Sequence, residues 1–183
     1  MQQKISVSMI TKLAISLALI VVIELFEDQI LAMPQGGSLS VASLIFMFTM
    51  YQFDFKASAL LFLLWRGLIV IITPVYIVTP LQFFLEYFVA FSCFLLAYPL
   101  VKSKKISMLI GGVAIANIVR LFIHVTAGVV YFSDDYSVAS WIASFNYNVT
   151  YMLPTLVVQI VAAVFLFKPL HNYLSKNTTK SAT

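Results

Sequence analysis

Long apolar runs separated by short polar intervals organise this chain. The runs break at charged or Pro/Gly/Asn-bearing positions into six, roughly residues 9–26, 38–53, 57–73, 80–101, 107–131 and 149–168. A helix needs about 20 apolar residues to cross the hydrocarbon core, and fewer where neighbouring helices shelter it. The pattern therefore predicts an all-α integral membrane protein of six transmembrane helices. They form a single domain over residues 1–183, with a short, polar, disordered tail at 169–183. The second run is the weakest of the six, because it is short and begins at the helix-breaking PQGGS stretch at 34–38.

Composition supports the membrane reading: 62% of the 183 residues are hydrophobic and 10% are charged, a balance far from that of soluble domains. Mean hydropathy is +1.00. The basic residues then orient the bundle, since Lys and Arg collect in short cytoplasmic loops. Lys4 and Lys12 precede the first run, Lys56 joins the second to the third, and Lys102, Lys104 and Lys105 join the fourth to the fifth. Lys168, Lys176 and Lys180 follow the sixth. With six crossings all of these fall on one side, which places both termini in the cytoplasm. The opposite loops hold Glu27, Asp28, Asp134 and Asp135 and no Lys or Arg. The net charge of +4 is thus a topology signal and implies no nucleic acid. The first run is too long, and too poor in a small-x-small site, to read as a cleaved signal. The single Cys93 lies inside a run, which excludes a disulfide framework and a thiolate metal cluster.

Charged groups inside spans are expensive and mark ligand, ion or proton sites. Glu86 stands in the aromatic-rich run LQFFLEYFVAFSCFLLAYPL. At 1.5 Å of rise per residue it lies about 9 Å below the outer start of its span, and Arg66 and His124 each lie about 10 Å below the outer ends of the third and fifth. Asn117, Arg120, His124 and Gly128 line one face of the fifth span, and Asn148, Tyr151, Thr155 and Gln159 repeat the pattern on the sixth. Two facing polar stripes and a carboxylate at one depth predict a cavity open to the outside. The alternative is that Arg66 and Glu86 pair within the bundle and that Asn117 and Gln159 are interhelical glue. Trp65, Tyr76, Phe83, Phe84, Tyr87, Tyr131, Phe132, Trp141 and Tyr147 supply rings near the same layer, which can stack on a heteroaromatic ligand, attract a cation or form an interfacial belt. The stretch from Ser133 to Tyr147 is long enough to act as a lid.

Enzyme chemistry finds no support. The chain lacks G-x-S-x-G, H-E-x-x-H and C-x-x-C, and one of its two histidines, His171, lies in the tail. No cofactor or metal set is implied. It also lacks a P-loop, so energised uptake would require a partner or an ion gradient. A carrier working alone usually shows internal repeats, and the two halves here share none that is convincing.

The PQGGS stretch, Trp65, Tyr76, the Leu85-Glu86-Tyr87 triplet, FIHVTAGVVYF at 122–132 and the Tyr147-Asn148 pair together resemble the ThiT family. These are thiamin-specific S-components of energy-coupling factor (ECF) vitamin transporters in the bacterial plasma membrane. The resemblance covers nearly the whole chain and implies thiamin (vitamin B1) as ligand. It implies that Glu86 meets the thiamin cation, that His124 packs beside it and that Tyr87, Tyr76 and Trp65 form the pocket wall. Asn148 would read the aminopyrimidine, and at Gly128 the ligand would approach the backbone. Phe132, Tyr147, Arg120 and Arg66 complete the candidate set. Ala14 and Ala18 form an A-x-x-x-A on the first helix, and small residues at this spacing let another helix come close. In the family this motif docks on a transmembrane coupling subunit that carries two ATPase subunits. Three positions depart from the family pattern: Phe132 replaces a Trp, Ala143 a Tyr, and Arg66 a small residue. An Arg66–Glu86 pair would satisfy the carboxylate before any cation arrived. That outcome would favour a changed specificity, such as for hydroxymethyl-pyrimidine or another vitamin. An ion- or proton-coupled carrier is the alternative of a different class.

Overall fold

The computed structural model describes the backbone of residues 6–30 and 37–180 and the side chains of 6–27 and 37–172. Its regular structure is helical: α1 (Val7–Ile30), α2 (Ala42–Thr49), α3 (Phe55–Ile72), α4 (Pro80–Phe84), a π-helical turn (Leu85–Val89), α5 (Ala90–Leu96), α6 (Tyr98–Lys102), α7 (Ile106–Phe132) and α8 (Val138–Lys180). Five stretches are long and apolar enough to cross a membrane: Val7–Glu27, Phe55–Ile72, Pro80–Lys102, Ile106–Phe132 and Val138–Asn172. The third of these is the composite of α4, the π-turn, α5 and α6.

Local chemistry sets the boundaries. The Asp54 carboxylate accepts from Ala57 N at 2.9 Å and starts α3; Pro74 follows its last residues and cannot continue it. Thr79 caps α4 by accepting from Gln82 N at 3.1 Å, with Pro80 in the first turn where its missing N–H costs nothing. Between α7 and α8 only residues 133–137 are non-helical. There Asp135 accepts from Ser140 Oγ at 2.5 Å and Ser137 N at 3.1 Å, and these bonds, the Ser140 hydroxyl first, hold its carboxyl below the usual carboxylate range.

Three expectations are corrected here. The run 38–53 is not one spanning helix: α2 has eight residues, about 12 Å of rise, preceded by non-helical backbone. Most of α2 is wrapped by the bundle, with Ala42, Leu44, Phe46 and Met47 at zero exposure. Its two-sided apolarity gave it the look of a span. The lid expected over 133–147 is mostly the first turns of α8, because Ser137 and Asp135 nucleate a helix that the Pro/Gly-free sequence then sustains. Helix α8 also runs past 168 to Lys180 with Pro154 and Pro169 inside it, so the expected tail begins as helix. Pro34–Gly36 of the PQGGS stretch lies outside the described residues.

Non-helical backbone inside a bilayer must find its hydrogen bonds within the protein, and segment 37–42 does so through side chains. Ser40 N donates to Thr155 Oγ1 at 3.3 Å, and Gln159 Nε2 donates to Ser40 O and to Ser43 Oγ, the latter at 2.7 Å. Val41 N and Ala42 N donate to the Glu27 carboxylate of α1, which thereby caps α2 from a distance. Gly37, at φ +101°, permits the turn into this segment, and a Cβ there would sit 2.8 Å from the Tyr151 ring. Asn117 on α7 completes the group by donating to Gln159 Oε1 at 2.7 Å and to Val113 O at 2.8 Å. Gln159 thus joins α7, α8 and the α2 approach, which bears out the interhelical-glue alternative for Asn117 and Gln159.

Gln159→Leu leaves several buried partners unmatched and should lower stability by about 2 kcal/mol or more, at roughly 1–3 kcal/mol per orphaned group. Thermal unfolding of the detergent-solubilised protein measures this, and an unchanged midpoint would contradict the assigned role of the amide.

Candidate functional site

Glu86 sits in the π-turn between α4 and α5, where the ladder widens to a bond from Ala90 N to Leu85 O. Such single π-turns inside α-helices occur frequently at functional sites. From there Glu86 Oε1 faces His124 Nδ1 of α7 at 3.8 Å, and Oε2 accepts from Gln82 Nε2 one turn earlier. His124 is 8% exposed and accepts at Nε2 from Arg120 Nε at 3.2 Å. A ring nitrogen that accepts leaves the other to carry the hydrogen, so a neutral His124 presents Nδ1–H toward Glu86 across a gap too long for a hydrogen bond.

The Arg66–Glu86 pair considered from sequence does not form. Arg66 Nη1 instead meets Glu24 Oε1 of α1 at 2.8 Å, with side chains 2% and 9% exposed, and Arg66 Nε donates to the Tyr87 carbonyl at 2.9 Å. Trp65 points its Nε1–H at the other Glu24 oxygen and is fully buried among Phe46, Phe62 and Phe91. One carboxylate on α1 therefore holds two neighbouring donors on α3, and the guanidinium braces the π-turn that carries Glu86. The Arg66 guanidinium lies 3.8 Å from the Phe91 ring centroid and that of Arg120 4.0 Å, so one ring serves two cations. Arg120 Nη1 is buried and has no hydrogen-bond partner among the described residues.

The remaining candidates fall into two groups. Tyr76 and Phe132, 70% and 50% exposed, stack at 6.0 Å with ring planes 30° apart, and Tyr76 N donates to Tyr87 Oη at 3.0 Å. Across α7 and α8, Asn148 Oδ1 accepts from Tyr151 Oη at 2.6 Å while its Nδ2 donates to Ser144 O at 2.9 Å. Tyr147 stands edge-on to Tyr151 at 6.0 Å. At Gly128, expected to face a ligand, it is Ser144 that comes close. A Cβ there would overlap Ser144 Oγ, which donates to Val125 O at 2.9 Å. Glycine thus lets α7 and α8 touch.

Glu86, Tyr87, His124, Arg120 and Arg66 are brought into one connected neighbourhood, whereas Trp65 is committed to Glu24. Thr155 and Gln159, read from sequence as cavity-lining, hold segment 37–42. Sequence reasoning missed Glu24, Gln82, Phe91 and Ser144. Glu24 carried a usable signal, a carboxylate within an apolar run, but Glu27 and Asp28 follow it at once and make it read as the polar end of the span. Gln82 is one helical turn before Glu86, the spacing at which side chains meet.

A family profile described as "Thiamine transporter protein (Thia_YuaJ)" matches residues 10–175. The thiamine transporter ThiT of Bacillus subtilis (strain 168) is 28% identical over 180 residues, which span 91% of this chain and 94% of that protein. The solved structure of ThiT from Listeria monocytogenes shares the fold with a TM-score of 0.71 at 23% identity, covering 89% of this chain and 96% of that one.

The Glu24–Arg66 pair yields a second prediction. Removing one member of a buried pair leaves an uncompensated charge and costs about 3–5 kcal/mol, whereas an apolar replacement of both is far milder. Glu24→Leu should therefore lower the thermal midpoint in detergent much more than Glu24→Leu/Arg66→Met does. Equal losses in the single and double variants would show that the ion pair is not what these residues contribute.

Proposed function

This chain belongs to the thiamine transporter (Thia_YuaJ) family, a family of transport proteins and not of enzymes, and we propose that it is the substrate-capturing S-component of an ECF-type thiamin uptake system. It is a helical, multi-pass membrane protein whose transported ligand is thiamin. The observation that carries the capture reading is the charge state of the site. Arg66 is neutralised by Glu24, and among the described residues no Lys or Arg nitrogen lies within 4 Å of Glu86. Glu86 thus offers a carboxyl group whose nearest basic neighbour among the described residues is His124, and such a group suits the permanently cationic thiazolium of thiamin.

The other proposed contacts follow from the groups at hand. Tyr87, Tyr76, Phe132 and Tyr147 offer ring faces. His124 offers Nδ1–H. Asn148, whose amide is turned onto its own helix by Tyr151 and Ser144, would rotate its hydrogen bonds toward the aminopyrimidine. A ligand oxygen would satisfy Arg120 Nη1. Trp65 supports the site from behind by fixing Glu24, and Gly128 does so by letting α8 approach.

In the bilayer we read residues 1–183 as one domain with six crossings. The second is made by segment 38–53, in which residues 38–41, α2 and the following turn cross together, sheltered by the bundle. This crossing keeps Lys56 on the side of Lys12 and of Lys102–Lys105 and leaves both termini, including 169–183, in the cytoplasm. The pocket opens to the outside of a bacterial plasma membrane. Ala14 and Ala18 are exposed on α1 beside Ile10, Ile15, Leu19 and Val22, a face suited to docking on a transmembrane coupling subunit. Two ATPase subunits bound to that subunit would supply the energy.

The test is thiamin binding to the purified protein in detergent, followed by quenching of Trp65 and Trp141 fluorescence, with hydroxymethyl-pyrimidine and riboflavin as competitors. Saturable quenching is expected, and Glu86→Gln should weaken it by roughly a hundredfold, about 3 kcal/mol for losing a charge-assisted contact. Saturable binding of hydroxymethyl-pyrimidine without response to thiamin would replace the thiamin reading by one of changed specificity. Binding that is indifferent to Glu86→Gln would remove the carboxylate from the site.

A further inference from the structure

Gln82 is 1% exposed and spends its whole side chain on three neighbours. Its Oε1 accepts from Val78 N at 3.0 Å, and its Nε2 donates to Tyr76 O at 3.3 Å and to Glu86 Oε2. The Tyr76 peptide is thereby held on both sides, its carbonyl by Gln82 and its N–H by the Tyr87 hydroxyl. The same residue carries the ring stacked on Phe132. One buried amide thus links the 73–79 connection, the exposed aromatic pair and the carboxylate.

Taking the thiamin reading as its basis, we propose that Gln82 is the positioning residue of the binding site and sets its selectivity for a cation. By occupying Glu86 Oε2 it fixes the carboxylate rotamer so that Oε1 stays toward His124 and the ligand. An amide does this without neutralising the charge, which a Lys or Arg at the same place would do. The 73–79 connection is seated by the same group, so the aromatic pair and the carboxylate keep a common register.

The experiment compares wild type, Gln82→Met, Glu86→Gln and the double variant. Each is titrated in detergent with thiamin and with an uncharged isostere in which carbon replaces the thiazolium nitrogen. Gln82→Met should weaken thiamin binding roughly tenfold to a hundredfold, the range expected for losing a hydrogen bond to a charged group. Binding of the uncharged isostere should change by less than about threefold, the scatter normal for a neutral contact. In the Glu86→Gln background the same substitution should add little. A parallel loss for both ligands, or an undiminished loss in the Glu86→Gln background, would assign Gln82 to packing alone and overturn the proposal. Should Gln82→Met fail to fold, Gln82→Asn keeps an amide beneath the 73–79 connection but is too short to reach Glu86, and the same ratios decide. A wild-type protein that bound neither ligand would overturn the thiamin reading and the proposal with it, whereas normal wild-type binding with an unaltered Gln82→Met variant would defeat the proposal alone.

Discussion

The Glu24–Arg66 ion pair is the constraint on which the arrangement of this bundle rests. A lone guanidinium at this depth would have to find an anion, and the nearest alternative in sequence terms is Glu86 itself. Because α1 supplies Glu24, Arg66 is satisfied at 2.8 Å and its remaining Nε–H is free to act on backbone. It donates to the Tyr87 carbonyl, inside the π-turn where the helical ladder is widened. An inserted side chain is one of the few recognised causes of such a departure from α-geometry. One pair therefore joins α1 to α3, steadies an irregular turn and, among the described residues, leaves His124 as the basic partner of Glu86.

The same rule, that polar groups in a bilayer must be satisfied from within, explains the other irregular region. The non-helical residues before α2 draw their hydrogen bonds from Glu27 on α1 and from Thr155 and Gln159 on α8. Two acidic residues three apart on α1 thus have different duties: Glu24 neutralises an arginine, and Glu27 caps a helix. Both are 7% exposed. Helix α1 is consequently tied to the bundle through carboxylates near one end, while much of its remaining surface stays exposed and apolar.

How much of this could be read from the sequence follows from the range of each interaction. Glu86, Arg120 and His124 were legible because charges inside apolar runs are rare and helical rise places them in depth. The Arg120–His124 contact follows from spacing alone. The partner of Arg66 was not legible, since choosing between Glu24 and Glu86 depends on helix rotation and on which of three helices adjoin. Helix α2 was misjudged because complete burial and membrane exposure select the same apolar residues, and hydropathy does not distinguish a helix wrapped by protein from one wrapped by lipid. Asn148 and Gln159 occupy one stripe of α8, yet one turns toward the tyrosines near Glu86 and the other toward Ser40. A polar stripe gives a face without naming its neighbour.

Charge balance shows how two arginines share one cluster with Glu86. Glu24 offsets Arg66, leaving Arg120 and Glu86 as the other formal charges of the cluster, with a neutral imidazole interposed between them through contacts at 3.2 and 3.8 Å. Arg120 is further engaged by the face of Phe91, whose ring attracts a cation without cancelling it. The Arg120 guanidinium is thus engaged by the ring and by the histidine that separates it from Glu86. A cationic ligand entering beside Glu86 would meet the carboxylate first and the guanidinium only through His124. Were the imidazole replaced by an apolar group of the same size, Arg120 would lose its acceptor and the separation between the two charges would no longer be enforced. The histidine therefore stands between unlike charges, and its position one turn above the arginine lets a carboxylate and a buried guanidinium share one cluster without pairing.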